Sequence, residues 1–148
     1  MLLVSFSCIL LITLTTVLHY EVLRLLIEKL PKLTIPARLK PLVVVFTTFT
    51  AHVLEIILYG LVPFFLVNYA TIGALNGDNT SLFKFIYFSA ETYSSLGYGD
   101  LIPSGSLRLF AGVESLNGLL LIGWSASYIH LAMERFWNLR SGSRASDQ

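Results

Sequence analysis

Charge is scarce in this chain: 13% of its 148 residues are Asp, Glu, Lys or Arg, against 55% that are hydrophobic. The formal net charge is +1, and with no basic stripe anywhere a nucleic-acid partner is excluded. Cysteine is scarcer still. The single Cys8 sits in an apolar run, rules out an intrachain disulfide, and is expected as a reduced thiol facing lipid or a neighbouring helix. Patterns for chemistry are missing as well: no Ser/His/Asp set converges, no cluster has metal-ligand spacing, and no glycine loop would cradle a phosphate. The reading is therefore a non-enzyme without a cofactor. No helix carries repeated arginines, which argues against a voltage sensor. No internal repeat, low-complexity segment or linker-joined second domain is visible, and the length is one domain's worth.

What is present is long apolar sequence, with a mean hydropathy of +0.72 that belongs to membrane proteins. Three segments are long enough to span: about Leu2 to Leu18, about Leu42 to Tyr69, and about Ser106 to Met133. The first continues as an amphipathic stretch through Leu26. A cleaved secretory leader is its alternative, but no positive region precedes it and no small-residue cleavage site follows, so a retained helix is expected. Pro31, Pro36 and Pro41 punctuate a basic connector from Lys29 to Lys40. Thr71 to Pro103 is too polar and glycine-rich to cross, yet holds a short apolar run, Leu82 to Tyr93, with Thr80-Ser81 ahead of it as a helix cap.

Basic residues set the orientation. Arg24, Lys29, Lys32, Arg38 and Lys40 crowd the first connector and Arg135, Arg140 and Arg144 the tail, leaving Lys84 and Arg108 on the other side. The positive-inside rule then puts the connector and C-terminus in the cytoplasm and the N-terminus and Thr71–Pro103 outside, with Tyr128, Phe136 and Trp137 in the inner aromatic belt. Asn79-Thr80-Ser81 fits a glycosylation pattern too short to use.

Within that loop lies Ser95-Leu96-Gly97-Tyr98-Gly99-Asp100. Glycines at Gly97 and Gly99 tolerate positive φ, so successive carbonyls can face one way and replace the water shell of a cation. Irregular backbone at membrane depth survives only where protein buries it or where it lines water. A loop that dips in as a short helix and returns through this motif therefore reads as a pore element, and one loop cannot surround an ion alone.

The stretch from Phe88 to Asp100, with Leu101-Ile102-Pro103, Arg108 and Gly118, resembles the pore region of potassium channels, and the nearest type is the small bacterial two-helix pore. The resemblance covers roughly the last hundred residues, so the first helix is an addition to the family's plan. With the apolar runs it implies an all-α membrane protein of three transmembrane helices plus a re-entrant pore helix and filter loop, assembled as a four-fold homotetramer in the lipid bilayer of the plasma membrane. It also implies three parts: an N-terminal helix and connector over 1–41, a pore domain over 42–138, and a short tail over 139–148. Ser95, Leu96, Gly97 and Tyr98 would bind K+ through carbonyls, with Gly99 closing the filter. The Ser95 hydroxyl would add oxygens at the cavity end. Glu91 would pair with Asp100 behind the filter, and Gly118 would be the inner-helix hinge. Ser95 and Leu96 depart from the usual Thr and Val, and Phe88 stands where many members place Trp.

Other polar residues within the spans are functional candidates. His52 and Glu55 share one helix face, as do Glu114 and Asn117. Glu55 and Asn117 fall at one membrane depth, so a contact between them would couple the hinge to the outer helix, or titrate through His52. A static interhelical hydrogen bond is the simpler alternative. Likewise Gly118 would serve close packing, or Asp100 would merely cap a turn while Glu91 met solvent. His19 and His130 read as amphipathic residues near the inner interface. The function expected is passive, selective K+ conduction. A weakly selective cation channel and a non-conducting assembly subunit remain as alternatives.

Overall fold

The first apolar run needs no break before the connector, and it forms one helix, α1, Leu2–Lys29. Its buried residues Val4, Ser7, Cys8, Leu11, Thr15, His19, Leu23 and Leu26 recur every three or four positions, the stripe of a helix packed along one side. The computed structural model describes residues 2–76 and 81–145, with side chains described as far as residue 135. The expectations placed on Asn79, Thr80 and the side chains of Phe136, Trp137, Arg140 and Arg144 lie outside the described residues.

Two short 3₁₀ turns, Leu30–Lys32 and Ala37–Leu39, carry the chain round the prolines into α2, Lys40–Ala70. Pro63 lies inside α2; its missing N–H and ring would break a soluble helix, but an apolar span tolerates it. After α2 the left-handed Thr71 turns the chain. A two-residue strand β1, Ala74–Leu75, pairs antiparallel with β2, Pro103–Ser104, Ala74 opposite Ser104 and Leu75 opposite Pro103. This clasp, the one departure from all-α among the described residues, closes the neck of the loop. Between its arms runs α3, Leu82–Tyr93, started by Ser81, whose Oγ accepts the Lys84 N–H at 3.4 Å. The last helix, α4, spans Leu107–Ala145.

The helices α1, α2 and α4 are each long and apolar enough to cross a bilayer. Side-chain pairs set their directions. His52 meets Ser125 while Tyr59 meets Asn117, so α2 and α4 are antiparallel; Thr15 meets Asn117 while His19 meets Ser125, so α1 and α4 are parallel. Against α2 and α4 packs α3, through Phe85 and Phe88, which are buried with Leu75 and flanked by Phe64, Val67, Leu101 and Ala111. A second cluster, Val4, Cys8, Leu11, Tyr59, Leu66, Tyr93 and Phe110, joins α1 to all three other helices.

Candidate functional site

The end of α3 sets up Ser95–Gly99. Ser94 N–H still bonds back to Ala90 at 3.3 Å, but Leu96 and Gly97 both donate to the Glu91 carbonyl, at 2.9 and 3.2 Å. Two consecutive amides thus turn toward the helix C-terminus, the end that carries partial negative charge. Positive φ falls on Ser95 (57°), Gly97 (54°) and Gly99 (82°), and not on Leu96 or Tyr98. This alternation keeps successive carbonyls on a common side. Ser95 holds its left-handed angle without being glycine, and its Oγ is 2.8 Å from Ser115 Oγ on α4. Ser115 was not singled out from sequence, because only the fold brings α4 beside the segment.

Behind the segment, Glu91 is buried, 4% exposed. Its buried Oε2 has no hydrogen-bond partner among the described residues, but the Asp100 carboxyl and the Tyr98 backbone lie near enough to act on its charge, so the two carboxyls expected as a pair are neighbours. Burial first, and the Asp100 charge second, hold the Glu91 pKa above the usual carboxylate range, while the Tyr98 amide pulls it down. Asp100 also bonds to the Tyr87 hydroxyl. Asn76 clamps the outer end: its Nδ2 donates to the Asp100 carbonyl at 3.0 Å, and its Oδ1 accepts the Ile102 N–H at 2.6 Å. No spacing rule ties Asn76 to a motif so far along the chain, and sequence reasoning missed it.

Gly118 packs where no other residue fits. A Cβ there would stand 2.2 Å from the Tyr93 carbonyl oxygen at the end of α3. The close-packing alternative raised for Gly118 therefore has a direct physical cause. Replacing Gly118 by Ala must push α4 off α3, at a cost of about 1–3 kcal/mol for overpacking. The expected result is a clearly lowered thermal unfolding midpoint in detergent; an unchanged midpoint would contradict the packing.

The intramembrane polar residues sort differently from the sequence expectation. Asn117 contacts Thr15 at 2.8 Å and Tyr59 at 3.1 Å, not Glu55. Spacing gives depth and face along one helix but not rotation about its axis, and the α2 residue that meets Asn117 is Tyr59, one turn on from Glu55. Glu114 and Asn117 also part company: Glu114 turns to Ser89 on α3, whose hydroxyl bonds to its Oε1, while its buried Oε2 has no protein partner. His52 and Glu55 do meet, Nδ1 to Oε2 at 3.1 Å. Their contact on α4 is Ser125, 3.0 Å from His52 Nε2, so any coupling to α4 runs through Ser125.

His19 is the larger correction. It is fully buried, with Nδ1 2.9 Å from Glu55 Oε1 and Nε2 3.1 Å from Ser125 Oγ. The interface assignment failed because the α1 stripe that carries His19 could be read as lipid-facing until its partner helices were known. His130 is exposed, 3.9 Å from Glu134. No spacing along the chain marks a metal cluster, but the fold brings donor atoms of His19, His52 and Glu55 within 4.8 Å of one another, a grouping assembled from two helices and so invisible as a spacing.

Comparison with known proteins bears on the same region. A family model described as "Ion channel" matches residues 42–135. Over 71 residues the chain is 39% identical to the protein named voltage-gated potassium channel Kch of Escherichia coli (strain K12), an alignment covering 43% of this chain. The same alignment covers 17% of that protein, so this chain spans a small part of its relative's length. No solved structure matches the chain.

Proposed function

The chain belongs to the ion channel family whose model covers residues 42–135, and from that premise we propose that it conducts K+ passively and selectively through Ser95, Leu96, Gly97, Tyr98 and Gly99. It is a membrane channel and not an enzyme; the permeant ion and the assembly are the proposal. The observation that carries it is the alternation of positive φ at Ser95, Gly97 and Gly99, with the N–H groups of Leu96 and Gly97 committed to the end of α3. Carbonyls left free by that arrangement are the ligands a dehydrated K+ requires. The name of the Escherichia coli relative supports K+ as the ion.

In this reading α3 is a re-entrant pore helix and the ring has four copies. Support comes from exposure: Leu96 is 58% and Tyr98 69% exposed on the single chain, although irregular backbone at membrane depth must be covered by protein or line water. Neighbouring copies supply that cover, and Leu116, Leu119 and Leu120 on the exposed face of α4 give them an apolar surface. The pore domain over 42–138, the N-terminal helix and connector over 1–41 and the tail over 139–148 are the parts of this assembly. The N-terminus and filter mouth lie outside and the C-terminus in the cytoplasm. Native mass measurement in mild detergent is expected to give a tetramer, and vesicles holding the protein are expected to dissipate a K+ gradient. A monomer or dimer that still conducts would overturn the four-fold ring, and tetramers without flux would overturn conduction.

A further inference from the structure

A buried knot of side chains at the meeting point of all four helices has no part in the filter. His19 comes from α1, His52 and Glu55 from α2, Tyr93 from the end of α3, and Ser125 from α4. Both imidazoles point Nδ1 at the Glu55 carboxylate, at 2.9 and 3.1 Å, and Nε2 at the Ser125 hydroxyl, at 3.1 and 3.0 Å. Tyr93 Oη lies 2.9 Å from His52 Nδ1 and also bonds to Glu55 Oε2.

The two rings therefore make the same pair of contacts, to which His52 adds Tyr93, and the tautomer decides what their Nδ1 atoms offer. If each Nε2 carries its hydrogen, the two lone pairs of Ser125 Oγ accept both. Each Nδ1 then presents a lone pair inward, beside an ionised carboxylate. In that tautomer three sets of lone pairs converge, and one cation among them would satisfy all three. The opposite tautomer, with each Nδ1–H donated to its own Glu55 oxygen, needs no ion, and metal binding is what separates the two.

We propose that His19, His52 and Glu55 form a binding site for a first-row divalent metal ion, Zn2+ by donor type, fastening α1 to the channel domain. Two imidazoles and one carboxylate are an established donor set for Zn2+. With bonds of about 2.0–2.1 Å, tetrahedral donors stand about 3.4 Å apart. Each imidazole here is 2.9 or 3.1 Å from a Glu55 oxygen and the three donors lie within 4.8 Å of one another, so binding would draw them to a common spacing. The Tyr93 hydroxyl lies beside His52 Nδ1 and Glu55 Oε2. Ser125 fixes ring orientation through both Nε2 atoms, the outer hydrogen bond that metal-bound histidines require. The ion would tie a helix outside residues 42–135 to Tyr93, whose carbonyl packs against Gly118. This inference does not depend on the permeant ion.

The test uses the full chain, expressed with added Zn2+ and purified in detergent without chelator. Elemental analysis is expected to give about one Zn2+ per chain, and Co2+ taken up in its place should show the visible absorption of a tetrahedral site. His19→Gln and His52→Gln, which keep a hydrogen-bonding amide, should each lose the metal. Ser125→Ala, which keeps every ligand, should weaken Co2+ binding by about 10–100-fold. A chelator should lower the unfolding midpoint of the native protein and leave that of His19→Gln unmoved. Native protein that binds neither Zn2+ nor Co2+ would overturn the site and leave a hydrogen-bonded network holding a shared proton. Glutamine variants retaining as much metal as the native chain would overturn it equally.

Discussion

Replacing Gly97 or Gly99 by alanine is expected to abolish K+ flux while the protein still reaches the membrane and assembles. The reason is conformational, not steric. A Cβ added at either position meets nothing within 4 Å of the chain, so the fold of the subunit has room for it. The backbone angles, however, are 54° and 82°, and an L-residue held left-handed costs about 1–2 kcal/mol. Four copies around one axis pay that together, about 4–8 kcal/mol, enough to deplete the conducting arrangement by about a thousandfold or more. Flux from vesicles, measured beside the tetramer content of the same preparation, separates the outcomes. Native flux in either variant would remove the filter assignment, whereas loss of both flux and assembly would mean the glycines serve folding instead.

The second large effect is expected at the carboxyl pair behind the segment. Glu91 lies beside Asp100 and the Tyr98 backbone, each of which acts on its charge, so removing Glu91 changes the electrostatic setting of both. Removing the Asp100 charge in turn changes the setting of the neighbouring Tyr87 hydroxyl and lets Glu91 ionise more readily, although burial, the larger cause of its raised pKa, remains. Each single substitution, Glu91→Gln or Asp100→Asn, should change open probability severalfold. The double variant should fall short of the product, by a coupling energy of about 1 kcal/mol or more, as for residues in one hydrogen-bonded network. Single-channel recordings of all four proteins complete the cycle. Effects that simply multiply would show that the two carboxyls act apart.

Much of this architecture was readable because it depends on one segment at a time. Apolar length alone marks α1, α2 and α4, the hydroxyl of Ser81 marks where α3 begins, and the spacing of Gly97 and Gly99 marks where backbone must turn left-handed. Glu91 and Asp100 were readable through the resemblance to potassium channels. Residues whose role depends on how helices are rotated against one another were not. His19 faces Glu55 only because α1 packs its polar stripe inward against α2 and α4, and an apolar helix in a membrane could as well turn that stripe elsewhere. Asn117 and Glu114 share a face by spacing, yet the roughly 60° of arc between them separates a contact with α1 and α2 from a contact with α3. Asn76 binds Asp100 and Ile102 across the β1–β2 clasp, a two-residue pairing with no sequence signature of its own. Helical periodicity tells which residues turn inward; it does not tell what waits there.

Selective conduction stands or falls on one measurement: the reversal potential of the purified protein in a planar bilayer with K+ on one side and Na+ at equal concentration on the other. Carbonyl ligation by the Ser95–Gly99 segment predicts a strongly displaced reversal potential, of the sign that marks K+ as the permeant ion. A reversal potential near zero, with current carried equally by both ions, would contradict the account.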